Sequence, residues 1–147
     1  MKWIYNDGGR KLAGYKGETG DCVVRSIAII SNLPYQELYD HFFEMNKQYA
    51  IQRRGRVAKA LKKNSSPRNG VYKEIFKPFL EKELKMIWTP TMTIGSGCKV
   101  HLKKEELPSG KLIVSVSKHI TAVIDGVIHD LSDCSRNETR CVYGYWK

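Results

Sequence analysis

The sequence predicts an α+β fold in which N-terminal helices pack on a C-terminal antiparallel β-sheet. Three observations lead there. Apolar residues recur at helical spacing in the segments after residue 21. The last third of the chain turns instead to short β-branched runs. Two of those runs, Ile120–Ile124 and Val127–Leu131, flank Asp125-Gly126, the strongest short-range hairpin signal.

Lys2–Tyr5 reads as a short strand, and the Gly-rich polar stretch Asn6–Gly20 as a loop. Asp21 is placed to cap a helix that opens at Cys22. In that helix Val23, Ile27 and Ile30 share one face and Val24 and Ala28 another, so it is expected at the centre of the fold. It ends near Ser31-Asn32-Leu33-Pro34. Pro34 then starts a second helix, Tyr35 to about Lys47, with Leu38, Phe42 and Met45 inward. A short basic helix is predicted over Arg53–Lys63. Another helix is predicted over Val71–Leu84, kinked or broken at Pro78. Met86–Thr89, Leu112–Val116 and Cys141–Trp146 complete the strands, and Thr93–Gly97 is a loop.

The 147 residues are the length of one domain, taken as 1–147, and 41% hydrophobic residues suffice for a core. No apolar run approaches the roughly 18 residues that span a bilayer. The longest candidate, Val23–Ile30, is interrupted by Arg25 and Ser26. No export signal is visible, so the expected setting is cytoplasmic, without membrane, and the four cysteines are expected as free thiols. Neither the spacing of Cys134 and Cys141 nor the positions of His101 and His129 makes a compact ligand set, so no metal and no cofactor is expected.

The net charge is +10. Arg53, Arg54, Arg56, Lys59, Lys62, Lys63 and Arg68 concentrate much of it. Such a face suits nucleic acid or an acidic protein, or is a solvated helix face. The glycines of Thr93–Gly97 lack the ending of a phosphate loop, and Ser115 lacks a nucleophile elbow.

The chemistry centres on Cys22. A thiol opening a helix feels the positive end of the helix dipole and free backbone N–H groups, which stabilise its thiolate. His119 stands at a strand junction. If Asp125 and Gly126 form the turn, Ile124 pairs with Val127, Thr121 with Asp130 and His119 with Ser132. Strand alternation then puts His119, Thr121, Asp130 and Ser132 on one face, with Asp130 diagonal to His119 and Asp133 off the face. A carboxylate beside an imidazole fixes its tautomer, and an imidazole beside a thiol activates it.

Asp21-Cys22-Val-Val-Arg-Ser at a helix start, followed by His119-Ile-Thr-Ala-Val-Ile-Asp-Gly, resembles the papain-like cysteine peptidase superfamily, including small members from bacteria and their phages. The resemblance covers roughly a third of the chain. It implies Cys22 as nucleophile, His119 as general base and acid, and Asp130 as the residue orienting the imidazole. The implied activity is hydrolysis of an amide or isopeptide bond in a protein or peptide, or acyl transfer of the transglutaminase kind. One departure matters. The family's oxyanion-hole Gln, about six residues before the Cys, is replaced by Lys16. Asn6, Thr19 or the Cys22 N–H would have to serve. A catalytically weak papain-like module, binding nucleic acid or an acidic protein through Arg53, Arg54, Arg56, Lys59 and Lys63, is the alternative.

Overall fold

Helix α1 (Cys22–Ser31) is where the hydrophobic patterning concentrates, and every residue from Val23 to Ile30 is buried. The computed structural model, which describes residues 1–147, sets this helix between further helices and a sheet. Helices α2 (Tyr35–Gln52), α3 (Arg56–Lys63) and α4 (Lys73–Pro78) follow. The strands are β1 (Trp3–Tyr5), β2 (Trp88–Pro90), β3 (Lys111–Val116), β4 (His119–Ile124), β5 (Val127–Asp130) and β6 (Val142–Trp146). They form one six-stranded sheet in the order β1-β5-β4-β3-β6-β2. The architecture is α+β. No helix is long and apolar enough to cross a membrane.

Strand alternation divides the core. Ile113, Ile120, Ala122 and Trp146 face α1 and α2, where they meet Val24, Ile27, Leu38 and Phe42. Leu112, Val114, Val123 and Ile128 form a smaller apolar cluster with Leu102, Cys134 and Val142. Within α2, Leu38 and Phe42 are buried as the spacing predicts, while Met45 is half-buried.

The hairpin register is the predicted one near the turn, but β5 ends at Asp130, so the expected pair of His119 with Ser132 does not form. Ile124 pairs with Val127 and Ala122 with His129. Asp125 and Gly126 have φ of 47° and 78°, so both turn residues are left-handed, as a two-residue type I′ hairpin requires. Gly126 has a second reason to lack a side chain, because a Cβ there would run into the Lys104 side chain.

Four expectations need correction. The sheet is mixed rather than antiparallel. β1 lies parallel to β5, with Tyr5 opposite Asp130, because the helices between them carry the chain back across the sheet. The 71–84 helix breaks at Pro78 as expected, but it starts only at Lys73 and changes pitch after the break. Pro78 ends α4, and Phe79–Glu83 continues as a π-helical turn in which Leu84 N donates to Phe79 O at 3.2 Å. The basic helix starts only at Arg56, since Gly55 at φ 104° breaks the chain after Arg53 and Arg54.

The fourth correction concerns sulfur. Cys98 and Cys141 form a disulfide, with Cα atoms 5.8 Å apart across 43 residues of sequence. The bridge between His101 and Cys141 lays the 98–101 segment beside the start of β6, which no local spacing announces. Only Cys22 and Cys134 are free.

Candidate active site

The way α1 docks decides what Cys22 meets. One turn into the helix, Ser26 donates its hydroxyl proton to the backbone carbonyl of Ile120 at 3.2 Å. The start of α1 is thus held against the start of β4, where His119 is the first residue. Together with Asn69–Lys73, these segments line a cleft of about 540 Å³ that holds both Cys22 and His119.

His119 Nε2 and Asp130 Oδ2 are 2.7 Å apart. Thr121 Oγ1 donates to the same carboxylate oxygen at 2.8 Å. The other oxygen, Oδ1, accepts from Arg25 Nη1 at 2.9 Å and from the backbone N–H of Leu131 at 2.7 Å. Asn6 N and Trp3 Nε1 both donate to the Asp130 carbonyl, so β1 immobilises the acid's backbone as well. Nε2 is committed to the carboxylate, which leaves proton exchange with the thiol to Nδ1.

Electrostatics follow from this packing. Burial opposes the imidazolium, but its hydrogen bond to the Asp130 carboxylate and contacts with Cys134 and Cys22 outweigh it, and His119 is pushed up to about 11. Burial likewise opposes the Asp130 carboxylate, but His119 and Thr121 hold it down at about 2. The Cys22 thiol is pushed up by burial and pulled down more strongly by the adjacent imidazolium, the Ile120 N–H and Arg25, so its net shift is downward. All three shifts run in the direction that favours thiolate, imidazolium and carboxylate in series.

Behind this row lies a charge network the sequence reading missed. Asp21 occupies the N-cap position, yet its side chain caps nothing. Its carboxylate accepts from Arg10 Nε and Arg25 Nε, each at 3.0 Å, and from the Tyr35 hydroxyl. Two guanidinium groups outcompete a helix N–H for the same oxygens. Arg25 bridges Asp21 and Asp130 and so ties the Cys22 helix to the strand carrying the acid. The signal was present. An arginine inside an otherwise apolar helix has to find carboxylates or stay out of the core.

Other predicted residues fall elsewhere. Asn6 lines a different cavity, with Gly8 and Asn32, and its amide lies 3.3 Å from His129 Nδ1, so it is no oxyanion donor for Cys22. Tyr5 pairs with Asp130, and the chain leaves β1 on that side of the sheet. Thr19 does line the cleft, where its carbonyl accepts from Arg25. Gly20 beside it admits no side chain, because a Cβ would collide with the Arg68 backbone. Arg53, Arg54, Arg56, Lys59 and Lys63 are exposed, and none lines the cleft. Arg68 leaves that basic face to lie over the Tyr15 ring. His119, Asp130 and Cys134 bring potential metal-ligand atoms within 4.8 Å of one another. Arg25, Thr121 and His119 already saturate the Asp130 carboxylate, so the trio is better described as a hydrogen-bonded network. Asp133 is exposed and accepts from the Ser135 N–H at 3.0 Å.

These placements separate the two aspartates. Asp130→Asn is expected to lower the His119 pKa, read by NMR titration of the ring, and to cost about 1–3 kcal/mol for its charged hydrogen bonds. Asp133→Asn is expected to stay within about 0.5 kcal/mol of the parent. A larger effect at Asp133 would contradict the arrangement.

No protein-family model, no curated protein and no solved structure matches the chain.

Proposed function

We propose that the chain is a papain-like cysteine peptidase or a closely related acyl-transfer enzyme. One observation carries the reading: a helix-opening thiol with a lowered pKa shares a cleft with an imidazole bonded to a buried aspartate. The Cys22 thiolate attacks the carbonyl carbon of an amide or isopeptide, forming a C–S bond and an oxyanion. The backbone N–H groups opening α1 are free of any side-chain cap, so the Cys22 N–H can receive that oxyanion in place of the missing Gln. His119 gives its proton to the departing amine as the C–N bond breaks. It then takes a proton from water, whose oxygen attacks the thioester and releases Cys22. An amine in place of the water makes the reaction a transfer. Asp130 keeps the imidazole oriented and stabilises its charged form.

The test is a screen of quenched-fluorescence peptides, with and without an added primary amine. Cys22→Ala is expected to remain folded and to lose all turnover. Turnover retained in the folded variant would overturn the mechanism, and incorporation of the amine would select transfer over hydrolysis.

A further inference from the structure

The peptidase reading leaves the substrate open, and the charges around the cleft narrow it. We propose that the cleft selects peptides bearing a carboxylate side chain next to the carbonyl that Cys22 attacks. The proposal rests on the peptidase reading above.

Fifteen residues line the cleft, and none is Asp or Glu, although the chain has 15 acidic residues in all. Two are lysines, Lys73 at the start of α4 and Lys118 beside His119. The charges deeper in cancel. Arg10 and Arg25 are matched by Asp21 and Asp130, and the thiolate is matched by the imidazolium. Neither Lys73 nor Lys118 has a carboxylate partner, so both cations remain available to a ligand. Lys73 Nζ rests 4.5 Å from the centre of the Trp88 ring, which gives that charge a defined place without neutralising it.

Lys118 carries a second, independent sign. It occupies the tight turn between β3 and β4 at φ 56°. A lysine there is in the left-handed region that glycine or asparagine enters at lower cost. The turn itself therefore gives no reason for a lysine. A side chain held at such a position beside a candidate catalytic histidine is more readily explained by what it binds. Because the acceptor of thiol attack is a carbonyl, the anion that reaches these lysines belongs to a neighbouring side chain of the same peptide.

The experiment uses two acyl-dipeptide fluoromethyl ketones that differ only in Glu or Gln next to the ketone. Labelling of Cys22 is followed by mass spectrometry, with iodoacetamide as the uncharged control. The Glu probe is expected to label about fivefold faster, as two exposed ion pairs allow, and its advantage should shrink with added salt. The double variant Lys73→Gln, Lys118→Gly is expected to lose the preference. Lys118→Gly alone is expected to keep or raise the melting temperature, since glycine relieves the left-handed turn. Prompt iodoacetamide labelling with equal Glu and Gln rates overturns this proposal alone. Failure of all three reagents overturns the peptidase reading and this proposal with it. A sharp loss of stability in Lys118→Gly would assign that lysine to the fold and likewise overturn the inference.

Discussion

At pH 6.5, alkylation of Cys22 by iodoacetamide is expected to fall by about 100-fold when His119 is replaced by Ala. The sign follows from the balance at the thiol. Burial raises its pKa, and the imidazolium, the Ile120 N–H and Arg25 together lower it further than burial raises it. Removing His119 deletes the largest stabilising contribution and leaves burial in place, so the pKa should move above that of a free thiol. In the parent protein, reactivity should rise as pH passes the lowered thiol pKa and level off at a lower pH than for an ordinary cysteine. The imidazolium should persist across that rise, because His119 holds its proton up to about 11. In His119→Ala the rise should shift to alkaline pH. Cys134 is the internal comparison, being the only other free thiol and buried. Mass spectrometry of each cysteine against pH decides the matter. Equal profiles for the parent and variant would remove the thiolate–imidazolium pair, and with it the reason to assign chemistry to the cleft.

Replacing Asp21 with Ala is expected to cost about 3–5 kcal/mol, the usual penalty when one partner of a buried ion pair is removed. Asp21 has no exposed side-chain surface, and it receives both Arg10 and Arg25, themselves 10% and 5% exposed. Without it, Arg10 keeps only the carbonyls of Gly17 and Glu18, while Arg25 keeps Asp130 and the Thr19 carbonyl. The buried Tyr35 hydroxyl also loses its acceptor. Asp21→Asn retains acceptor oxygen while removing the charge, and should cost about 1–3 kcal/mol. Urea unfolding measures both. A parent-like midpoint for Asp21→Ala would mean that the network does not hold the 10–25 region together. The same variant should slow Cys22 alkylation, because Arg25 then loses one of the two carboxylates that fix it near the thiol.

Much of the candidate site was legible because its geometry is local. Period-two alternation and an Asp-Gly turn are enough to bring Asp130 diagonally under His119, and the observed pairing of Ile124 with Val127 is the one those rules require. The start of α1 at Cys22 was legible from the apolar run behind it. Asp21 was misjudged for an instructive reason. A helix-start aspartate looks like a cap when only neighbours in sequence are considered, but the stronger claim came from Arg10 and Arg25. The sequence offers Asn6 as a substitute for the missing Gln, whereas the parallel pairing of β1 with β5 takes it towards His129.

The sequence alone therefore determined the α+β class, the hairpin register, the shared strand face of His119 and Asp130, and the thiol at a helix start, all of which depend on repeats and turns within a few residues. Only the tertiary structure decided that the thiol and imidazole meet, that Arg25 joins their two segments, that Cys98 bonds to Cys141, and that the cleft has lysines and no acids. Those facts depend on where α1 lies across β4 and which strands become neighbours. That placement is set by burial of apolar surface over the whole chain, a non-directional force whose result no short stretch of residues records.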